Sequence, residues 1–246
     1  MTTDVAALKT LWQQAFGDPP EFIEGFFSVG FSPDRCCCVY KDDKLAAALY
    51  WFDCQWGKKR LAYIYAVATD PQFRGQGLCK KLMDMTHRQL ARQGYAGTVL
   101  VPAQPELFVM YEKMGYRGFC PMEKKTVLPG GPPVQAERVT AARYDALRQV
   151  YQPEDGIVQG GKTLEFLGTY AGFYAFDGGA FSAAWEENTL YIQEFLGDAG
   201  SLPGILELLG ADKAVVRLPG GEMPFAMYHS LTGDDSLPSY LGIALD

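Results

Sequence analysis

A mixed α/β fold is predicted by the stretch of chain between residues 61 and 101. Residues 61–69 are apolar on both faces, as expected of a central strand, and residues 78–92 carry apolar side chains at helical spacing. Residues 98–101 form a second compact apolar strand. A strand, a helix and a strand in this order indicate a parallel pair with a helical crossover. The predicted class is therefore α/β (mixed α+β), with a central mixed sheet flanked by helices.

Helices and a hairpin are predicted before this unit. The predicted elements are helices at 3–16 and 19–29 and strands at 36–40 and 45–53. Thr2 or Thr3 is the expected cap of the first helix, and the polar residues 41–44 have the length of a hairpin turn. After the parallel pair, residues 106–114 are predicted to be helical with Gly115 as their cap, and residues 116–127 to form a last strand or pair of strands.

Prolines and glycines at residues 128–133 interrupt both helix and sheet patterns. We therefore expect a domain at 1–127, a linker at 128–137 and a second domain at 138–246. The second domain repeats the order of the first, which suggests a degenerate duplicate. Its predicted elements are helices at 140–150, 163–170 and 202–209, antiparallel strands at 172–176, 180–185 and 189–195, and later strands at 214–218, 225–229 and 240–244.

Composition limits the classes of partner. The formal charge of −7 and pI near 5.0 argue against nucleic acid. The first residues lack a basic segment followed by an apolar core, and no 18 apolar residues run together, so we expect a cytoplasmic protein without a membrane partner. Three of the six cysteines are consecutive and none has metal-ligand spacing, so we expect reduced thiols and no metal.

The glycine turn between the strand at 61–69 and the helix at 78–92 predicts a phosphate site. Gly75 and Gly77 let the backbone approach a ligand closely, and the following helix offers unpaired N–H groups and a positive dipole end to an anion. A Walker loop and a dinucleotide fingerprint both require spacings that are absent here. The alternative is a plain strand-to-helix turn with Arg74 as a solvated charge.

Two motifs resemble those of the GNAT family, the acetyl-coenzyme-A-dependent N-acetyltransferases. The run Gln72-Phe73-Arg74-Gly75-Gln76-Gly77 is similar to the family's pyrophosphate loop, Gln/Arg-x-x-Gly-x-Gly/Ala. The run Tyr111-Glu112-Lys113-Met114-Gly115-Tyr116 resembles its Tyr-Glu-Lys-x-Gly-Phe segment. The resemblance covers one GNAT domain at residues 5–127, and residues 138–246 are similar to the degenerate second domain of tandem GNAT proteins.

The resemblance implies acetyl-CoA as cosubstrate, without a metal. In this family a central strand separates from its parallel neighbour and pairs with the pantetheine arm, here at Ala66, Val67 and Thr69. Backbone amides of residues 73–79 would surround the pyrophosphate, with charge from Arg74 and from Lys80 or Lys81. The expected cofactor-binding residues are Ala66, Val67, Thr69, Gln72, Phe73, Arg74, Gly75, Gln76, Gly77, Leu78, Cys79 and Gln104.

Tyr111 is the catalytic residue that the resemblance implies, as the proton donor to the departing thiolate. An asparagine commonly precedes this tyrosine by seven positions, and Gln104 stands there. Relatives often carry an acid on the central strand, which this chain lacks. The base is therefore left open among Glu24, Asp53, Glu106, a bound water and the terminal carboxylate of Asp246.

The expected activity is transfer of an acyl group, most often acetyl, directly to the amine of a small molecule or peptide. A non-catalytic acyl-CoA-binding or regulatory module is the alternative, and a homo-oligomer is among the arrangements left open. His87 is expected on a solvated helix face and His229 in a structural role. The aromatic side chains at 51, 52, 56, 63 and 65 are expected to pack in the core or to line the acceptor pocket.

Overall fold

A computed structural model describes residues 4–245 of the chain. These residues divide into two compact units: residues 4–117 with 227–236 form unit 1, and residues 118–226 with 237–245 form unit 2. The described residues do not include the predicted helix caps, Thr2 and Thr3. They also do not include Asp246, whose terminal carboxylate is one of the candidate bases. Among residues 4–245, no helix is long and apolar enough to cross a membrane.

The first unit is built on a mixed sheet. Its helices are α1 (Val5–Phe16), α2 (Pro20–Gly25), α3 (Leu78–Arg92) and α4 (Pro105–Glu112), and its strands are β1 (Cys36–Lys41), β2 (Lys44–Trp56), β3 (Lys59–Thr69) and β4 (Gly97–Leu100). The strands lie in the order β1–β2–β3–β4, followed by residues 227–230 at the end of a later strand. The strands β3 and β4 are parallel and joined by α3, as predicted.

Local chemistry explains where these elements begin and turn. The carboxylate of Asp4 accepts hydrogen bonds from the N–H groups of Ala6 and Ala7, which caps α1. The predicted hairpin turn is confirmed: Asp42 and Asp43 have φ angles of 50° and 60°, the left-handed pair that a two-residue turn requires. The side chains of Trp51, Phe52 and Tyr63 are buried, so core packing is confirmed for them.

The second unit contains the later strands of the chain, except for Arg117 and residues 227–230, which belong to unit 1. Its strands are β5 (Arg117–Val127), β6 (Ala136–Val139), β7 (Ile157–Gln159), β8 (Gly172–Phe176), β9 (Gly179–Glu186), β10 (Thr189–Leu196) and β11 (Lys213–Ser230), and its helices are α5 (Ala141–Tyr151), α6 (Lys162–Leu167) and α7 (Leu202–Leu209). Strands β8, β9 and β10 form the predicted antiparallel meander, and β10 runs parallel to β11.

Two strand predictions at the end of the chain are wrong. The segments 214–218 and 225–229 belong to one long strand, β11, which continues through Gly220 and Gly221 although these glycines have φ angles of 143° and 82°. Residues 240–244 form no strand, since Tyr240 makes only an isolated bridge with Gly156. The domain boundaries at 127/128 and 137/138 stay a prediction.

The two units share an order of elements as well as a local turn. Each has helices, an antiparallel three-strand meander, a short 3₁₀ turn, a helix and a parallel strand. Asp70 caps the first 3₁₀ turn by accepting from the N–H of Gln72, and Asp198 caps the second by accepting from the N–H of Gly200. This similarity supports the hypothesis of a degenerate duplicate.

A buried ion pair lies at the centre of unit 2. Arg148 of α5 and Glu194 of β10 have fully buried side chains, and Arg148 Nε lies 2.5 Å from Glu194 Oε2. The hydroxyl of Tyr144 donates to the same carboxylate at 2.7 Å, and that of Tyr240 at 3.2 Å. A Cβ at Gly242 would lie 1.6 Å from Glu194 Oε1, so only glycine fits there.

Removing one partner of this pair should be costly. We expect Arg148→Met to lower the free energy of unfolding by about 3–5 kcal/mol, because the Glu194 charge would remain buried without its cation. The measurement is urea unfolding. The matched double variant Arg148→Met/Glu194→Gln removes both charges and keeps an acceptor for Tyr144, so it should recover part of the loss; a double variant no more stable than the single one would contradict this.

Candidate active site

The strands β3 and β4 pair only at one end. The parallel ladder joins Leu61, Ala62 and Tyr63 to residues 97–99, whereas β3 continues to Thr69. Beyond Tyr63, this edge of β3 has no ladder partner on β4 among residues 4–245. The backbone there is left with N–H and C=O groups that an extended, amide-containing ligand can pair with.

A bulge lies in β3 where the two strands separate. The register with β2 passes from Tyr65↔Tyr50 to Ala68↔Ala48, so Ala66 and Val67 together oppose one residue of β2. Ala66 has a φ of 47°, in the left-handed region that residues with a Cβ adopt rarely. A bulge of this kind bends a strand and re-aims its backbone groups. Here it turns the end of β3 away from the direction of the ladder.

The glycine turn leads directly into α3, and the first N–H groups of this helix have no partner within the helix. Gly75 and Gly77 have φ angles of 73° and 72°, and no side chain caps the helix at Gly77. The first hydrogen bond into the turn runs from the N–H of Lys81 to the carbonyl of Gly77, at 3.0 Å. The N–H groups of residues 78–80 are therefore free of helical partners. Such a terminus suits an anion.

Two cations flank this turn, and one of them was not predicted. Arg74 donates from Nε to the carbonyl of Thr69 at 3.3 Å. Lys41, at the end of β1, donates to Gln76 and lies 5.6 Å from the centroid of the Phe73 ring. The sequence contained a signal for Lys41, because this residue lies in the predicted hairpin turn. A hairpin whose second strand pairs with β3 brings its turn to the end of β3. That placement depends on the register between β2 and β3.

A cleft of about 340 Å³ lies between these elements. Its walls come from the end of β3, the glycine turn, the first residues of α3, one face of α4 and the last residues of α1. The lining residues are Ala15, Phe16, Val67, Ala68, Thr69, Phe73, Arg74, Gly75, Gly77, Leu78, Cys79, Leu107, Met110 and Tyr111. Most of the predicted site residues are thus brought together around one cavity.

Some predicted residues lie elsewhere, and some lining residues were missed. The lining omits Ala66, Gln72, Gln76 and Gln104. Gln104 precedes α4 as an exposed residue, and its side chain does not cap the helix. The lining residues that were not predicted are Ala15 and Phe16 of α1, Ala68 of β3, and Leu107 and Met110 of α4. Helical spacing predicted α1, but only the tertiary fold shows that its last turn reaches the cleft.

Tyr111 lines the cleft from α4. Its side chain is only 6% exposed, and its ring packs edge-on against Tyr116 at 5.6 Å between centroids. Burial, together with the neighbouring Cys79, raises the pKa of Tyr111. The phenol therefore keeps its proton at neutral pH and faces a largely apolar cavity as a hydrogen-bond donor.

None of the candidate bases lines the cleft among the described residues. Glu24 forms an ion pair with Lys9 at 2.6 Å, and Glu106 lies exposed in the first turn of α4. Burial raises the pKa of Asp53, but its hydrogen bonds with Tyr95 and two arginines, Arg60 and Arg35, outweigh burial and hold that pKa below its ordinary value. Asp53 is accordingly a poor proton acceptor.

His87 is not on a solvated face, and that prediction is wrong. Its ring is half-buried and stacks on His229 at 4.4 Å, and its Nε2 lies 2.9 Å from the hydroxyl of Tyr116. Thr98 contacts the same hydroxyl at 2.7 Å. Helical periodicity alone missed this, because the partners come from residues far along the chain. The cluster fixes Tyr116, against which Tyr111 packs.

His229 approaches the end of α4 from β11. Its Nδ1 lies 2.9 Å from the carbonyl of Gly115, which can only accept, so Nδ1 carries the proton. A Cβ at Gly115 would meet the His229 ring at 3.1 Å, and Gly115 has a φ of 87°. The glycine predicted as a helix cap is thus also required for close packing.

Acid should destabilise the protein through His87. Burial and the neighbouring His229 lower the pKa of His87 to about 4, whereas an unfolded histidine titrates near 6.5. Between these values the unfolded chain binds more protons, so stability is complete above about pH 6.5 and falls as the pH drops toward 4. Between pH 7 and pH 5 we expect a loss of about 2 kcal/mol from this group.

The measurement is the free energy of unfolding in urea across this pH range. Asp84 and Lys80 also act on the His87 ring, so the pH dependence of His87→Gln is the control, because glutamine does not titrate but can still hydrogen-bond Tyr116. Equal pH dependence in the two proteins would show that His87 is not responsible.

Comparison with known proteins finds a family model that matches the first part of the chain. Residues 1–119 match the acetyltransferase (GNAT) domain. No curated protein matches the sequence. A GCN5-related N-acetyltransferase from Kribbella flavida is similar in fold, with 18% identity and a TM-score of 0.70, over 94% of this chain and 69% of that one.

Two further solved structures are similar. A GCN5-related N-acetyltransferase from Anabaena variabilis has 17% identity and a TM-score of 0.70, over 94% of this chain and 71% of that one. A tandem GNAT protein from the clavulanic acid biosynthesis pathway has 10% identity and a TM-score of 0.58, over 95% of this chain and 97% of that one. At these identities the likeness concerns the fold, and the predicted mixed α/β class is confirmed.

Proposed function

Because residues 1–119 match the acetyltransferase (GNAT) domain, we propose that unit 1 binds acetyl-CoA and transfers its acetyl group directly to an amine. The observation that carries this proposal is the cleft in which the free edge of β3, the uncapped start of α3 and Tyr111 meet. These three features suit the three chemical parts of the cosubstrate: its amides, its phosphates and its thioester.

The amide-rich pantetheine arm would extend along the free edge of β3. Val67, Ala68 and Thr69 line the cleft there, and the bulge at Ala66 directs backbone groups away from the ladder. A strand edge binds an extended ligand through main-chain hydrogen bonds. The apolar side chains of Phe16, Leu107 and Met110 line the same cleft and would cover the aliphatic part of the arm.

The pyrophosphate would lie at the glycine turn. The unpaired N–H groups of residues 78–80 and the dipole of the 15-residue helix α3 favour negative charge. Arg74 and Lys41 add positive charge on two sides of the turn. Because the whole chain carries a formal charge of −7, this local positive charge is what makes the site suitable for an anion.

Tyr111 would supply the proton for the departing thiolate. As the amine attacks the thioester carbonyl, the bond from carbon to sulfur breaks and the sulfur takes the phenolic proton. The nitrogen loses one proton as the amide forms, and a proton from solvent water restores the phenol, so the step balances. The acetyl group passes straight to nitrogen, so no acyl-enzyme intermediate is involved. Cys79 lines the cleft, but burial raises the pKa of its thiol, which leaves little thiolate to act as an acyl carrier.

The acceptor is proposed to be the amine of a small molecule or a peptide. Unit 2 is proposed to be a degenerate GNAT-like domain.

A specific observation favours a second candidate function, a non-catalytic acyl-CoA-binding or regulatory module. Among residues 4–245, no carboxylate and no histidine lines the cleft. The two functions differ in one measurement, because only an enzyme releases coenzyme A thiol from acetyl-CoA when amines are supplied.

Cosubstrate binding should depend on Gly77. We expect Gly77→Val to abolish the thermal stabilisation by coenzyme A, because a side chain would stand where the phosphates approach the helix. The control is Gly94→Val: Gly94 has a φ of 80°, close to the 72° of Gly77, and in neither case would a Cβ meet another atom within 4 Å. The two variants therefore carry the same backbone strain, and only one lies in the cleft.

Differential scanning fluorimetry with and without coenzyme A measures this effect. The wild-type protein and Gly94→Val should both be stabilised by the ligand. Stabilisation that survives in Gly77→Val would place the phosphates elsewhere, and a wild-type protein that coenzyme A does not stabilise would overturn the proposed cosubstrate.

Turnover should depend on the hydroxyl of Tyr111. We expect Tyr111→Phe to lower kcat by about 100-fold or more while coenzyme A affinity changes little, because the ring and its packing are kept and only the proton donor is lost. Thiol release from acetyl-CoA over a panel of amines is the assay. Tyr40→Phe, at an exposed tyrosine of β1, is the control and should match the wild-type rate. An unchanged rate in Tyr111→Phe would remove this residue from the mechanism.

A further inference from the structure

We propose that Cys36 and Cys38 form a reactive dithiol that exchanges with a low-molecular-weight disulfide and closes into a reversible intrastrand disulfide. Their sulfur atoms lie 3.6 Å apart on β1. Residues two apart on a strand point to the same face, whereas Cys37 between them points to the opposite face. Cys37 is 6% exposed and packs in the core beneath α3, so it is excluded from the pair.

Position in the sheet gives this pair room to react. Strand β1 is at the edge of the sheet order and pairs only with β2 among the described residues. Both thiols are half-buried, so a small reagent has access from outside. Two residues of strand span about 6.6–6.8 Å between Cα atoms, near the upper limit of about 6.8 Å for a disulfide. An edge strand, hydrogen-bonded on one side, can contract to make the bond.

The two thiols differ in acidity in a way that suits successive roles. The hydrogen bond with Cys36 holds the pKa of Cys38 below its ordinary value, whereas the same hydrogen bond and burial raise the pKa of Cys36. Cys38 is thus the thiolate that attacks first, and Cys36 is the thiol that resolves the adduct. Burial raises the pKa of the other cysteines on separate elements, Cys54, Cys79 and Cys120.

The reaction balances without any other reagent. The Cys38 thiolate attacks one sulfur of the small disulfide, whose S–S bond breaks, and the first small thiolate leaves and takes a proton. Cys36 then loses its proton and attacks Cys38 Sγ, expelling the second small thiolate. The pair gives up two electrons, the small disulfide accepts them, and two small thiols are released. Excess thiol reverses both steps, and a bond closed over a long Cα span opens readily.

Mass spectrometry of the full-length protein tests this proposal. The reduced chain is incubated with glutathione disulfide, remaining thiols are alkylated, and trypsin cuts after Arg35 and Lys41, which releases all three cysteines in one peptide. For the wild-type protein we expect this peptide to lose two alkylatable thiols and to keep no glutathione. Cys36→Ser should retain one glutathione on Cys38, and Cys38→Ser should react much more slowly.

The matched control is Cys37→Ala, which changes the neighbouring cysteine on the other face and should close as the wild-type protein does. Thermal unfolding of each variant shows that it is folded. A wild-type peptide that keeps a stable glutathione adduct would overturn the proposal, as would closure in Cys36→Ser through Cys37. Thiols that react only after the protein is unfolded in urea would also overturn it.

Discussion

The separation of β3 from β4 after Tyr63 is the constraint on which the rest of unit 1 depends. A fully paired ladder would use the backbone groups of β3 and leave no main-chain edge for a ligand. The bulge at Ala66 lies three residues beyond the last pair with β4, and its left-handed alanine is a strained conformation that the surrounding structure must hold in place. The order of elements then brings the start of α3 to the same end of β3. The early end of the β3–β4 ladder and the order of elements therefore bring the free strand edge and the glycine turn to one cleft.

Unit 2 has the same order of elements as unit 1, but its interior contains a buried ion pair. Its meander ends in a second aspartate-capped turn, but the strand before that turn carries Glu194 into a fully buried pair with Arg148. Two tyrosine hydroxyls complete the hydrogen bonds of this carboxylate, and the residues after Tyr240 pack against it. A cluster that is satisfied internally specifies packing. The charge in unit 2 thus serves the fold, whereas the charge around the glycine turn of unit 1 faces a cleft.

Much of the fold was readable because local chemistry and tertiary structure agree. The hairpin, the meander, α7 and the parallel β3–α3–β4 unit each combine a clear periodicity with turn residues of the correct type. The sequence-based predictions were wrong where tertiary contacts outweighed the local sequence pattern. The strands predicted at 214–218 and 225–229 are joined in β11, which runs through Pro219 and two glycines. The helical face of His87 is covered by Tyr116 and His229. The contribution of Phe16 depends on tertiary placement, which no spacing in the sequence encodes, whereas that of Lys41 depends on the register between β2 and β3.

The turn of the β1–β2 hairpin has a consequence for the kinetics of ligand capture. Lys41 and Lys44 enclose Asp42 and Asp43, so this four-residue tip has no net charge although it adjoins the glycine turn proposed to hold the pyrophosphate. At physiological ionic strength, charges act over about 8 Å. A polyanion approaching this acidic protein is then repelled only weakly from a distance and is attracted only once it reaches Arg74, Lys41 and the helix terminus. Lower salt extends the repulsion of the distant carboxylates, so it slows association, the opposite of the effect expected for a basic surface.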